Sequence, residues 1–220
     1  RRPVVFLYPG MGAQRAGMGR ELLAEPAFRA AVAEVDAAIA PYLAEGALGA
    51  WSVLDALASD GADGRWERGD VAQALQFALQ VGLTALLRSW GVRPDAVVGS
   101  SLGELAAAWA AGALSLDDAA QVVARRGSLM QTMAGTGTVA MVAVDEAAAT
   151  ALLAPWADRA WVAAVNGPRQ TLLAGDQAAL EAAVAQVEAG GGFGRLVKGT
   201  LVASHSPVVE PLREPLLTAL

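Results

Sequence analysis

A chain of 220 residues with a formal charge of −6 and no cysteine is long enough to bury a large core, as one domain or a domain with a small insert. Its acidity argues against a nucleic-acid groove, and the missing thiols exclude disulfides, thiolate catalysis and cysteine-held zinc. One histidine excludes a histidine-rich metal centre, and with no signal peptide or uncharged run of membrane-spanning length the expectation is a cytoplasmic α/β protein with no membrane partner.

The chain opens on Pro3–Tyr8, an apolar run that reads as a buried strand stopped by Pro9-Gly10-Met11-Gly12. Helical spacing follows from Met18 to Leu43, with breaks expected near Pro26 and Pro41. Residues 44–66 read as a surface connection with short helical pieces. Val71–Trp90 is a long helix closed by Gly91 and Pro94, and Ala96–Val98 is the next strand. It runs into Gly99-Ser100-Ser101-Leu102-Gly103, and an alanine-rich helix, Glu104–Ala111, begins at once. Ser115 with Asp118 three residues on starts a helix to Met130.

Beyond Gly135-Thr136-Gly137 the units shorten. Val139–Val144 is a strand, Glu146–Leu153 a helix, and Trp161–Val165 and Gln170–Ala174 are strands. Asp176 caps a helix to Glu188, and Arg195–Lys198 is a last strand. The order β-α-β-β-α-β is that of a ferredoxin-like subdomain. The expected class is therefore α/β: residues 1–131 and 199–220 form a body and residues 132–198 an α+β insert, with a ligand cleft between the parts. The body is expected to resume with a strand, Thr200–His205, and a helix from Pro207.

The chemistry concentrates at Gly99–Gly103. Strand, G-x-S-x-G turn and helix are the context of a nucleophile elbow, and the flanking glycines single out Ser101 over Ser100. Serine needs a base. The sole histidine, His205, lies in a Ser-His-Ser-Pro turn after the insert.

Five ordered segments, Phe6–Gln14, Gly99–Glu104, Arg125-Arg126-Gly127, Val165–Pro168 and Val202–Ser206, resemble the acyltransferase domain of modular type I polyketide synthases, relatives of the malonyl-CoA:ACP transacylases. The resemblance covers the whole chain. It implies an α/β-hydrolase-like body carrying the ferredoxin-like insert, and a further C-terminal segment that truncation at Leu220 leaves out. It implies that Ser101 takes an acyl group from coenzyme A and hands it to a phosphopantetheine thiol. His205 is then the general base, oriented by a carbonyl from that further segment. Backbone N–H groups of Met11 and Leu102 are the implied oxyanion donors. Arg126 is the implied clamp for the carboxylate of a malonyl-type unit, with Arg125 about 100° further round the helix.

Two residues depart from the family pattern: Ser100 stands where histidine is usual, and Met11 where glutamine is usual. The first alters packing or substrate contacts, and the second keeps its main-chain donor. Val202 and Ser204 are expected beside the acyl group, with Asn166 a turn residue near the cleft. Val202-Ala203-Ser204-His205 and Arg68–Gln73 resemble the methylmalonyl-associated forms, whereas Leu102 is more usual in malonyl types. Ser204 leaves room for an α-methyl group worth ~1–3 kcal/mol, so methylmalonyl is preferred rather than exclusive. No metal or cofactor is implied, the coenzyme A thioester and the phosphopantetheine arm being substrates. Acyl-CoA, an acyl carrier protein and a neighbouring ketosynthase domain are the implied partners. Two other readings stay open. A degenerate docking or spacer domain of a megasynthase would explain Ser100, Met11 and the missing segment. An acyl-thioester hydrolase acting on chains without a distal carboxylate would leave Arg126 without a use.

Overall fold

Contacts divide the computed structural model, which describes residues 2–12, 14–62, 64–199 and 202–220, into two compact units. One is Arg1–Ser128 with Ala219–Leu220, and the other is Leu129–Thr218.

In the first unit, β1 (Val5–Tyr8) pairs in parallel with β2 (Ala96–Gly99), Val5 opposite Ala96 and Tyr8 opposite Gly99. Parallel neighbours need a long crossover. Here it contains α1 (Pro26–Ala44), α2 (Val53–Ala58) and α3 (Gly69–Ser89). Then come α4 (Gly103–Ala110) and α5 (Leu116–Thr132), the latter capped by Ser115, whose Oγ accepts from Asp118 N at 3.0 Å.

The core forms around α3, where Val71, Leu75, Phe77, Ala78 and Val81 are buried against Phe28, Val32, Val35 and Ile39 of α1. A Cβ on Gly82 would stand 2.7 Å from the Phe28 ring, so glycine sets how closely the two helices cross. By length and apolarity α3 could cross a membrane, a run the sequence reading did not find. Most of it is buried in this unit, which accounts for its composition.

Two expectations for this unit change. Pro26 begins α1, but Pro41 lies inside it. The helix loses one bond to the carbonyl of Ala37 and still runs to Ala44, because Ile39 and Leu43 are buried on the core side. The first strand is half-buried rather than buried: Phe6 and Tyr8 face the core, while Val5 and Leu7 are 55% and 68% exposed. Side chains alternate along a strand, so Val98 (50% exposed), opposite Leu7, continues that open face.

The second unit is a four-stranded antiparallel sheet of β3 (Thr138–Val142), β4 (Ala160–Gly167), β5 (Gln170–Gly175) and β6 (Gly194–Leu196), in the order β4-β5-β3-β6. With α6 (Glu146–Leu153) after the first strand and α7 (Gln177–Ala189) after the third, this is a ferredoxin-like arrangement. Asp145 and Asp176 cap the helices, accepting from Ala148 N at 2.8 Å and Ala179 N at 3.0 Å. Leu180 and Ala183 of α7 pack with Ala140, Val142 and Leu173 on one face of the sheet.

On the opposite face Val139 and Ala174 bury Ala203, with Val208 beside them. This packing draws 202–218 into the second unit, whereas the sequence reading joined 199–220 to the body. The expected strand is also absent from the described part. Residues 202–206 form a turn, followed by a 3₁₀ helix, Pro207–Leu212, and α8 (Arg213–Ala219). Thr200 and Leu201 lie outside the described residues.

Candidate active site

The ladder between β1 and β2 extends one step past the strand, Ser100 N donating to Tyr8 O at 3.0 Å. The chain then reverses into α4. Gly103 N donates to Ser100 O at 2.9 Å and Glu104 N to Ser101 O at 3.0 Å. Ser101 is held at φ 53, a conformation that costs an ordinary L-residue about 1–2 kcal/mol. Strand and helix touch so closely that only glycine fits on either side of it. A Cβ on Gly99 would stand 2.6 Å from Glu104 N, and one on Gly103 would collide with Tyr8 O.

The loop Pro9–Gly12 lies against this turn: a Cβ on Gly10 would be 3.1 Å from both Ser100 O and Ser101 Cβ. On its other side α3 holds it. Gln76 Nε2 donates to Pro9 O at 2.9 Å and Gly10 O at 2.7 Å, and Gln80 Nε2 donates to Pro9 O at 2.8 Å. Thr84 Oγ1 donates to Gln80 O at 2.7 Å and so accepts from the Tyr8 hydroxyl, 2.9 Å away. Met11, partly buried, follows this clamped peptide, and Leu102, buried, opens α4.

Arg126 and Arg125 diverge as their angular offset requires. Arg126 Nη1 donates to Gln73 Oε1 of α3, and burial pushes its guanidinium below the ordinary arginine value. Arg125 Nη1 reaches Glu45 Oε2 at 2.6 Å, and its guanidinium lies over the Tyr42 ring at 5.4 Å. Gly127 lets α5 lie close to the start of α3, since a Cβ there would stand 3.2 Å from Asp70 Cα. Gln73, Gln76, Gln80 and Thr84 follow one stripe of α3. Ser101, the Met11 loop and Arg126 are therefore joined along a single helix face. The sequence reading took in Gln73 only as the end of the Arg68–Gln73 segment and passed over Gln76 and Gln80, although three glutamines at helical spacing in one helix were the signal.

In the second unit His205 is also held at a positive φ, 60, and is exposed. Ser204 N donates to Val202 O at 2.8 Å. Ser206 Oγ donates to Ala203 O at 2.6 Å and accepts from Val208 N at 3.3 Å, capping the 3₁₀ helix. Val202 is buried and Ser204 half-buried. Asn166 is exposed and belongs to β4 rather than to a turn, in the irregular register between Val165 and Gly167.

A strained serine at the strand-to-helix junction of a parallel α/β unit is the hallmark of enzymes that work through a serine nucleophile. Residues 5–220 match the family model of the acyl transferase domain, and the chain belongs to that family. It is 47% identical over 218 residues to erythronolide synthase EryA2 of Saccharopolyspora erythraea, which covers 98% of this chain and 6% of that protein. A loading acyltransferase from the avermectin modular polyketide synthase superposes with a TM-score of 0.91 at 42% identity, over 99% of this chain and 68% of that one. The acyltransferase domain from module 8 of the salinomycin polyketide synthase gives 0.89 at 41%, over 99% and 50%. The chain thus spans a small fraction of its curated relative, and about half to two thirds of the solved domains.

Proposed function

We propose that this domain carries a malonyl-type acyl group from coenzyme A to the phosphopantetheine thiol of an acyl carrier protein, through an ester on Ser101. The observation that supports it most is Ser101 itself, strained at φ 53 between glycines that admit no side chain. Ser101 Oγ attacks the thioester carbonyl as its proton passes to His205. Main-chain N–H groups of Met11 and Leu102 stabilise the oxyanion, each worth roughly 2.7–4 kcal/mol in such sites. Collapse breaks the C–S bond, and the departing thiolate takes the proton back from His205. In the second half the carrier thiol gives its proton to His205 and attacks the ester, and Ser101 leaves with that proton.

Arg126, partly desolvated and oriented by Gln73, pairs with the free carboxylate of the acyl group. The volume left at Ser204 favours methylmalonyl over malonyl. The relatives are long synthases of which this domain is a small part, so the carrier protein and a ketosynthase are expected in the same assembly, in the cytoplasm.

Intact mass after separate incubation with malonyl-CoA, methylmalonyl-CoA and acetyl-CoA tests the reading. Adducts are expected from the first two, with methylmalonyl ahead when both compete at equal concentration. No adduct from any of them removes the transferase reading, and predominant malonyl loading removes the pocket argument at Ser204.

A further inference from the structure

Gln76 is 5% exposed and Gln80 6%, in a helix that is buried along most of its length. Each side-chain Oε1 is buried without a hydrogen-bond partner among the described residues. An unpaired buried acceptor costs about 1–3 kcal/mol, and an apolar residue of similar size would remove that cost. Packing alone therefore does not account for an amide here. What the amides do have is donors, and these go to the loop: Gln76 Nε2 holds both Pro9 O and Gly10 O, while Gln80 Nε2 holds only Pro9 O.

The difference between them matters because of peptide geometry. The Gly10–Met11 peptide is trans, so its N–H points opposite to its C=O. Gly10 O is tied to α3 by Gln76, and Met11 N–H is thereby directed away from α3. Gly10 itself lies against Ser100 and Ser101. Gln80 fixes only the preceding peptide, and its bond to Pro9 O is duplicated by Gln76.

We propose that Gln76 is a positioning residue for acyl transfer: by anchoring Gly10 O it holds the Met11 N–H in the orientation of an oxyanion donor. The inference rests on the acyl-serine reading above. An oxyanion donor acts on the transition state, so its misplacement lowers the maximal rate and leaves substrate binding alone.

The test compares Gln76→Leu with Gln80→Leu in the 220-residue chain, reading single-turnover acylation by malonyl-CoA through intact mass and, in parallel, the melting temperature. Gln76→Leu loses two bonds from α3 to the loop and Gln80→Leu one, so a purely structural role predicts losses of rate that follow the losses of melting temperature. The expected result is a maximal acylation rate for Gln76→Leu that is lower by roughly 10²-fold, the order of a lost oxyanion donor, at an unchanged half-saturating concentration. Gln80→Leu is expected to keep its rate within about threefold of wild type, since Pro9 O stays paired with Gln76. Gln76→Met gives the same readout if the leucine variant does not fold. A wild-type rate in Gln76→Leu overturns the proposal, and so does a loss confined to half-saturation or an equal loss in both variants. Absence of an adduct on the wild-type chain, at a position that Ser101→Ala would remove, overturns the acyl-serine reading and this proposal with it.

Discussion

At Ser101 the backbone works against its own residue. The φ of 53 suits glycine, yet an elbow without a hydroxyl has no chemistry to perform. Ser101→Gly is therefore expected to be more stable than Ser101→Ala by about 1 kcal/mol in thermal denaturation, the reverse of the order in a helix, with neither forming an acyl adduct. Equal stabilities would mean that the turn carries no strain. For the arginine pair, Arg126→Ala should lower loading of malonyl-type units roughly 30- to 150-fold relative to acetyl, the size of a charge-assisted pair of about 2–3 kcal/mol. Arg125→Ala should leave that ratio alone and cost no more than about 1 kcal/mol of stability, because its partner Glu45 is exposed. If the two variants behave alike, Arg126 is structural. His205 as base predicts acylation that rises with pH through the range where imidazole loses its proton, since the neutral form accepts. A His205→Ala variant with the same rate and profile would remove that role. Serine, arginine and histidine were readable in the sequence because their chemistry is written in short motifs. Gln76 was not, because glutamine is an unremarkable helix residue until a distant loop brings carbonyls to it.

Among elements, α3 shows where local pattern suffices and where it fails. Its ends, its helical spacing and the capped start of α5 follow from residues within a few positions, and the sequence reading places them within two or three residues. Pro41 misleads because the burial of Ile39 and Leu43, a tertiary effect, outweighs one missing bond. The junction of β2 with α4 supplies a sharp test. At the first position of a helix, Gly→Ala ordinarily gains stability. Gly103→Ala is expected to lose about 3 kcal/mol or more and to abolish loading, because its Cβ would collide with Tyr8 O and approach Pro9 O at 2.8 Å. A gain in melting temperature would show that the strand and helix can move apart.

Across the whole molecule, the ferredoxin-like order could be read from sequence because aspartate caps and glycines punctuate each short element. The edge of that unit could not, since Ala203 joins it through non-local contacts with Val139 and Ala174. The open face of the two-stranded sheet carries Val5, Leu7 and Val98 side by side. Contiguous exposed apolar surface promotes association, so light scattering on the 220-residue chain should show concentration-dependent growth that Leu7→Lys reduces. Equal scattering from the two would mean that the face is not adhesive. The bonds from Gln76 and Gln80 to the first loop bear on a different question, that of recombination between related domains. A crossover falling between residues 12 and 73 takes the loop from one parent and its glutamines from the other. Such chimaeras can keep every motif residue and still inherit a mismatched pair. Crossovers near Gly135 leave that pair intact, the loop and both glutamines coming from one parent.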